Sequence, residues 1–212
     1  MIKTIFFSFF LLVSLHAESI LNRLDSLQIG DRLVLELPQS ICVIGVTKTS
    51  PIHLRVASAT KDVLVRQEKE SWITWFEEGA DDAIRVDSMI IEGKNISSSI
   101  EQTSWLRTLL NLELTPLPKV YRKRAGPRPH TGEHDLRPIW QPKIIVDRQS
   151  ISSTSDAFTA IWPDDSSPLA NRPLILYFPL SDKAVQALPY WIESPTSSYH
   201  VTVIDSSHPC TP

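Results

Sequence analysis

Apolar and polar residues alternate with period two along four separate stretches of this chain. Leu33, Leu35 and Leu37 alternate with Arg32, Val34 and Glu36, and Ile52, Leu54 and Val56 with His53, Arg55 and Ala57. Ile84 and Val86 alternate with Arg85 and Asp87, and Tyr199, Val201 and Val203 with His200 and Thr202. Successive side chains of a strand point to opposite faces, so the pattern predicts strands with one buried and one wet face, as in antiparallel sheets. Turn-forming residues at 47–51 predict a hairpin, and those at 194–198 predict a second, between Tyr190, Trp191, Ile192 and the last strand.

Helical signals are fewer. Residues 18–27 read as a short amphipathic turn. Trp72, Trp75 and Phe76 share a helical face that Gly79 is placed to end. Ser98 and Glu101 resemble a capping box ahead of Trp105, Leu106, Leu109 and Leu110. The expected fold is therefore mainly β with some α+β character: antiparallel, sandwich-like sheets carrying one to three short helices.

The first 17 residues stand apart. Lys3 is their only charge, an apolar run spans residues 5–15, and Ala17 precedes Glu18. A basic start, a short apolar stretch and a small residue make a secretory signal peptide. The run is well short of the ~20 apolar residues of a spanning helix. Its removal takes away four phenylalanines and leaves Phe76, Phe158 and Phe178 beside six tryptophans. With 42% hydrophobic and 21% charged residues and a net charge of -3, the chain as a whole suits an ordinary globular protein and excludes a disordered charged tail.

Residues 116–143 hold 6 of the 16 prolines, which deny helix and remove ladder donors. They read as a basic connector between an N-terminal mixed α+β lobe (18–115) and a β-rich C-terminal lobe (144–212). Two small domains, or one sandwich with a long crossover, both fit. In an exported chain the two cysteines, Cys42 and Cys210, can form one disulfide, worth about 4–5 kcal/mol for so long a loop in the chain-entropy model. The alternative is that Cys42, inside an apolar run, is a small core residue.

Candidate sites each carry a plainer alternative. Lys119, Arg122, Lys123, Arg124 and Arg128 form the densest basic cluster, suited to an anionic partner or to pairing with acidic groups of the same molecule. An acidic remainder and an export signal argue against nucleic acid. His130 and His134 are metal-ligand types four apart, but Pro127, Pro129 and Gly132 exclude the helix that would make them converge, so a polar loop is expected and no metal is assigned. Asp81, Asp82, Asp164 and Asp165 lie in turn-like settings, where Asp serves the backbone. No nucleophile elbow, phosphate loop or zinc-protease pattern is present, and only 6 scattered glycines are available to make a phosphate cradle. No catalytic residue and no cofactor are nominated. The six tryptophans fill a core short of Phe, or stack on sugars or protein partners.

Several segments together resemble exported proteins of chlamydiae that have no known activity. They are residues 71–80 (SWITWFEEGA), 122–129 (RKRAGPRP), 135–140 (DLRPIW), 162–169 (WPDDSSPL), 176–179 (LYFP) and 189–192 (PYWI). The resemblance implies a bacterial periplasmic or envelope setting and transfers no functional position. The expected function is a non-catalytic periplasmic or envelope-associated binding protein, with a protein or an anionic envelope component as partner. The alternatives are a cell-wall glycan binder or glycan hydrolase, and a binder of anionic lipid surfaces.

Overall fold

The computed structural model describes residues 18–61, 84–98 and 104–208. The expected signal peptide, the Trp72–Phe76 helix, Asp81, Asp82, Glu101 and Cys210 lie outside them. Among the described residues the strands are β1 (Glu18–Ser19), β2 (Arg32–Glu36), β3 (Ser40–Thr49), β4 (Ile52–Thr60), β5 (Arg85–Glu92), β6 (Asn95–Ser98) and β7 (Glu113–Pro116). They continue as β8 (Ile144–Val146), β9 (Gln149–Ile151), β10 (Ser155–Ile161), β11 (Pro173–Pro179), β12 (Trp191–Glu193) and β13 (His200–Ser207). An α-helix, α1 (Ser104–Leu110), and a 3-10 helix at Ile20–Ser26 pack against them, and a one-turn 3-10 helix covers Lys119–Tyr121. The expectation of a mainly β protein with antiparallel, sandwich-like sheets and few short helices is borne out.

Eleven strands form one antiparallel sheet in the order β1-β7-β10-β11-β12-β13-β2-β3-β4-β5-β6, and β8-β9 form a separate hairpin. Strands from before and after the proline-rich stretch share this sheet, through β13 on β2 and β10 on β7. Open sheets beyond ~10 strands curl or split. Here both halves send side chains to the same core, Leu33, Ile44, Leu54 and Met89 from one and Leu114, Phe158, Leu176 and Val201 from the other. Leu106, Leu109 and Leu110 of α1 and Ile20 and Leu24 of the first 3-10 helix complete it, which is why these short helices keep only their apolar faces inside.

Both predicted hairpins form. Ser50 and Pro51 turn β3 into β4, and residues 194–199 return β12 to β13. Two expectations about faces need correction. In β2 the residue between Leu33 and Leu35, Val34, is also fully buried, because it belongs to a second cluster, with Ile41, Val43, Ala57, Ala59 and Ile84, on the opposite face of β2–β4. In β5 the main-core face carries Asp87, Met89 and Ile91, whereas Val86 is partly exposed on the other side. Two apolar residues, Ile84 and Val86, mark a period but not which face of the strand meets the larger core.

Bulges in β3 and β13 shift the alternation. In β13 the extra residue is Ile204, so Val203 opposes Leu35 and Asp205 opposes Val34. Ser206, rather than Asp205, then follows Val203 onto the main-core face. The Ser98 end of the expected capping box belongs to β6, and the described helix starts at Ser104.

Candidate functional site

β7 and β10 are antiparallel neighbours, with Phe158 opposite Pro116. Such a pair needs only about 2–5 connecting residues. Instead the chain leaves at residue 117 and returns at 154, and this excursion contains the entire basic cluster and the β8-β9 hairpin.

The excursion is fastened at its base. Arg122, almost fully covered, donates from Nε to the carbonyl of Leu117 at 3.0 Å and from Nη1 to that of Ser155 at 2.9 Å. Gln141 accepts the Ser155 N–H at 2.9 Å. Further out, the Trp140 N–H donates to the Lys123 carbonyl and the Ala125 N–H to that of Pro138, both at 2.9 Å, around a bridge between Arg124 and Ile139. Arg124 reaches the carbonyl of Arg137, and Arg137 that of Gly126 and the carboxylate of Asp135. Residues 127–136 thus form a tip on a two-legged stem. Arg137 holds the Asp135 carboxyl down, to about 2, chiefly through their side-chain hydrogen bond.

Beneath the stem lies the outer face of the sheet. The register sets Tyr177 opposite Trp191, and Glu193 opposite both Ile175 and His200. Period two then puts Tyr177, Trp191, Glu193 and His200 on one side. Trp140 packs edge-on against Tyr177 and Trp191, each with centroids 5.3 Å apart, and His200 stacks on Trp191 at 5.4 Å. The Lys123 ammonium lies 2.6 Å from Glu193 Oε2, 3.4 Å from the centre of the Trp140 ring and 5.5 Å from that of Trp191. Glu193 also accepts the Trp191 indole N–H at 2.9 Å and the Tyr177 hydroxyl at 3.3 Å. Burial, followed by the Glu193 charge, pushes the Tyr177 phenol up, so it stays a donor.

The structure divides the predicted basic cluster by role. Arg122, Lys123 and Arg124 engage carbonyls, a carboxylate and indoles, with Lys123 still partly open to water, while Lys119 and Arg128 are exposed without such contacts among the described residues. His130 and His134 sit exposed in the tip, where Glu133 accepts the His130 N–H. Among the described residues no three His, Cys, Asp or Glu side chains are grouped to hold a metal. Asp164 and Asp165 do serve a turn: Asp165 accepts the Trp162 indole N–H at 2.8 Å and the Ser167 N–H at 2.9 Å, and Asp164 accepts from the Asn171 amide. Cys42 is buried in β3, and burial pushes its thiol up to about 12.

Sequence reasoning missed Glu193 and Tyr177. The spacing of Trp191 and Glu193 in a strand was the available signal, because residues two apart share a face. Elsewhere, a cavity of about 320 Å³ is lined by Asp31, Arg32, Val43 and Arg55, and one of about 700 Å³ by Arg107, Asn111 and Thr159, neither with a tryptophan among its described lining residues. Among the described residues no helix is long and apolar enough to cross a membrane.

Residues 53–152 match the protein family described as CT021 protein. The matched stretch runs from β4 to just beyond β9 and takes in the whole stem and tip. A solved structure described as the hypothetical protein CT021 from Chlamydia trachomatis shares this fold, with a TM-score of 0.55 and 19% identity over 92% of this chain and 98% of that one. Both findings agree with the chlamydial resemblance read from the sequence. No match is found among curated proteins.

Proposed function

We propose that this is an exported, envelope-associated binding protein without catalytic activity, and that residues 117–143 are its recognition element for a protein partner. The observation that carries this reading is the excursion between two strands that need almost no connection. Ordering so many irregular residues costs about 1–2 kcal/mol each in backbone entropy. The fastening through Arg122, Lys123, Trp140 and Gln141 offsets that cost and leaves the outer side chains displayed. A binding loop held on a rigid sheet has this form. The displayed groups are Lys119, Val120 and Tyr121 on one leg and Arg128 and Leu136 at the tip, with Tyr121 74% and Leu136 91% exposed. A cation, an aromatic ring and aliphatic groups suit a protein surface with acidic and apolar patches. Export and envelope placement are supported by the pattern of residues 1–17 and by the chlamydial likeness.

The test is affinity capture from the envelope fraction of the native host, comparing the wild type with two variants. Tyr121→Ser with Leu136→Ser, and Lys119→Glu with Arg128→Glu, should each lose a partner that the wild type retains, the second pair more so at low salt. Reversal of Arg122 or Lys123 is a poorer test, since it unfastens the loop itself. A partner retained by both outward variants contradicts the reading.

The glycan reading has one supporting observation, Trp140, Trp191 and Glu193 in one place. It is the weaker reading because the Trp140 face carries Lys123, and Trp191 carries His200. Retention on insoluble cell wall that Trp140→Ala abolishes would favour it over a protein partner.

A further inference from the structure

The contacts of Lys123 define a receptor as well as a clamp. Its ammonium lies against one indole face, near a second indole and on a carboxylate, and these are the parts of an aromatic cation site. The walls have supports besides the lysine side chain. The Trp191 indole N–H and the Tyr177 hydroxyl aim the Glu193 carboxylate, and both donors are neutral, so its negative charge stays available to a cation. Trp140 is fixed by edge-on packing on Tyr177 and Trp191. The site also opens to water, since the Lys123 side chain is 41% exposed while that of Glu193 is 19% exposed.

We propose that Trp140, Trp191 and Glu193 form a binding site for a quaternary ammonium group, which Lys123 occupies in the free protein. One carboxylate beside indole faces is a poor ligand set for a hard metal ion, which takes six or more oxygens. It suits a bulky, weakly hydrated cation whose methyl groups contact the rings. The tethered lysine competes at a high effective concentration, so the ligand binds more weakly while Lys123 is seated. The site lies beneath the loop and is independent of the outward side chains assigned to a protein partner.

The test is titration with tetramethylammonium chloride, with sodium chloride as the ionic control, followed by the indole N–H resonances. Lys123→Ala should bind the probe at least ten-fold more tightly than the wild type, shifting Trp140 and Trp191 but not Trp162, which is buried and held by Asp165. Adding Glu193→Gln, which keeps an acceptor but removes the charge, should abolish the gain. If Lys123→Ala folds with wild-type near-ultraviolet circular dichroism yet shows no shift, or if Glu193→Gln leaves the gain intact, the proposal is overturned. Should Lys123→Ala not fold, the wild type decides at high probe concentration, where selective shifts of Trp140 and Trp191 support the site and their absence overturns it. Two further arms separate sources of the group. Response to choline alone indicates a free small cation, and co-sedimentation with phosphatidylcholine but not phosphatidylglycerol vesicles indicates a lipid headgroup.

Discussion

The hydroxyl of Tyr190 donates to Ser206 Oγ at 2.6 Å and accepts the Val185 N–H at 3.2 Å, in a site where Tyr190 is fully buried. Ser206 in turn donates to the carbonyl of Ile145 in β8. This chain of hydrogen bonds ties the β8-β9 hairpin, and with it the returning end of the excursion, to the bulged strand β13. Tyr190→Phe keeps the ring but leaves a buried N–H and a buried hydroxyl short of a partner. It should destabilise the protein by about 1–3 kcal/mol, read from the denaturant midpoint. A midpoint equal to that of the wild type would show that the network is replaced by water.

The same tyrosine gives a pH prediction. Burial pushes its phenol up to about 12, and burial also raises Tyr177 and Tyr199. An unfolded tyrosine ionises near about 10, so the folded state binds the proton more tightly. Stability from these groups is complete below about pH 10 and declines as pH rises through the folded values. Phenolate absorbance from these three should therefore appear late, and Tyr190→Phe should reduce the late amplitude by about one third. Equal early ionisation of every tyrosine would contradict the burial.

Asp147 and Arg148, the two turn residues of the β8-β9 hairpin, both have positive φ, 48° and 64°. That is the conformation of a two-residue hairpin turn, in which an ordinary side chain costs about 1–2 kcal/mol. Arg148→Gly should relieve part of this and raise stability by up to about 1 kcal/mol, seen as a higher Tm. The backbone N–H of residue 148, which donates to Asp205 at 2.9 Å, is kept in the variant. A lower Tm would mean that the arginine side chain stabilises the turn by more than its strain.

Cys42 is covered by the main core, and its thiol is raised to about 12, so the reactive thiolate is scarce and unreachable. Alkylation of this residue under native conditions should run no faster than global unfolding. Rapid labelling of Cys42 in the folded protein, located by peptide mass, would contradict its placement.

The strands were legible where one face alone decided the pattern. Val201 and Val203 in β13 and the hairpin turn at Ser50 and Pro51 follow directly from alternation and turn chemistry. The burial of Val34 did not, because a second apolar cluster occupies the back of β2–β4 and a strand buried on both sides loses its contrast; the face of β5 did not, because its apolar Val86 lies on the exposed side. Ile204 was unreadable for another reason: a bulge breaks period two without any residue type that announces it. At the site, the charge of Arg122, Lys123 and Arg124 was visible, but not its direction. Whether a basic side chain meets solvent or its own carbonyls depends on residues distant in sequence, here Ser155 and Glu193. The aromatic pair Tyr177 and Trp191 became neighbours only through the register of β11 on β12.

Residues 117–143 are held on the sheet by a fastened stem, and the proposed recognition role rests on that order. Amide hydrogen exchange at Ala125 and Trp140 tests it most directly, because their N–H groups close the stem on Pro138 and Lys123. Both amides should exchange far more slowly than the exposed tip at 130–136, and Arg122→Ala should release them while leaving β3 and β4 protected. Exchange of Ala125 and Trp140 in the wild type at the rate of an unstructured chain would contradict the account.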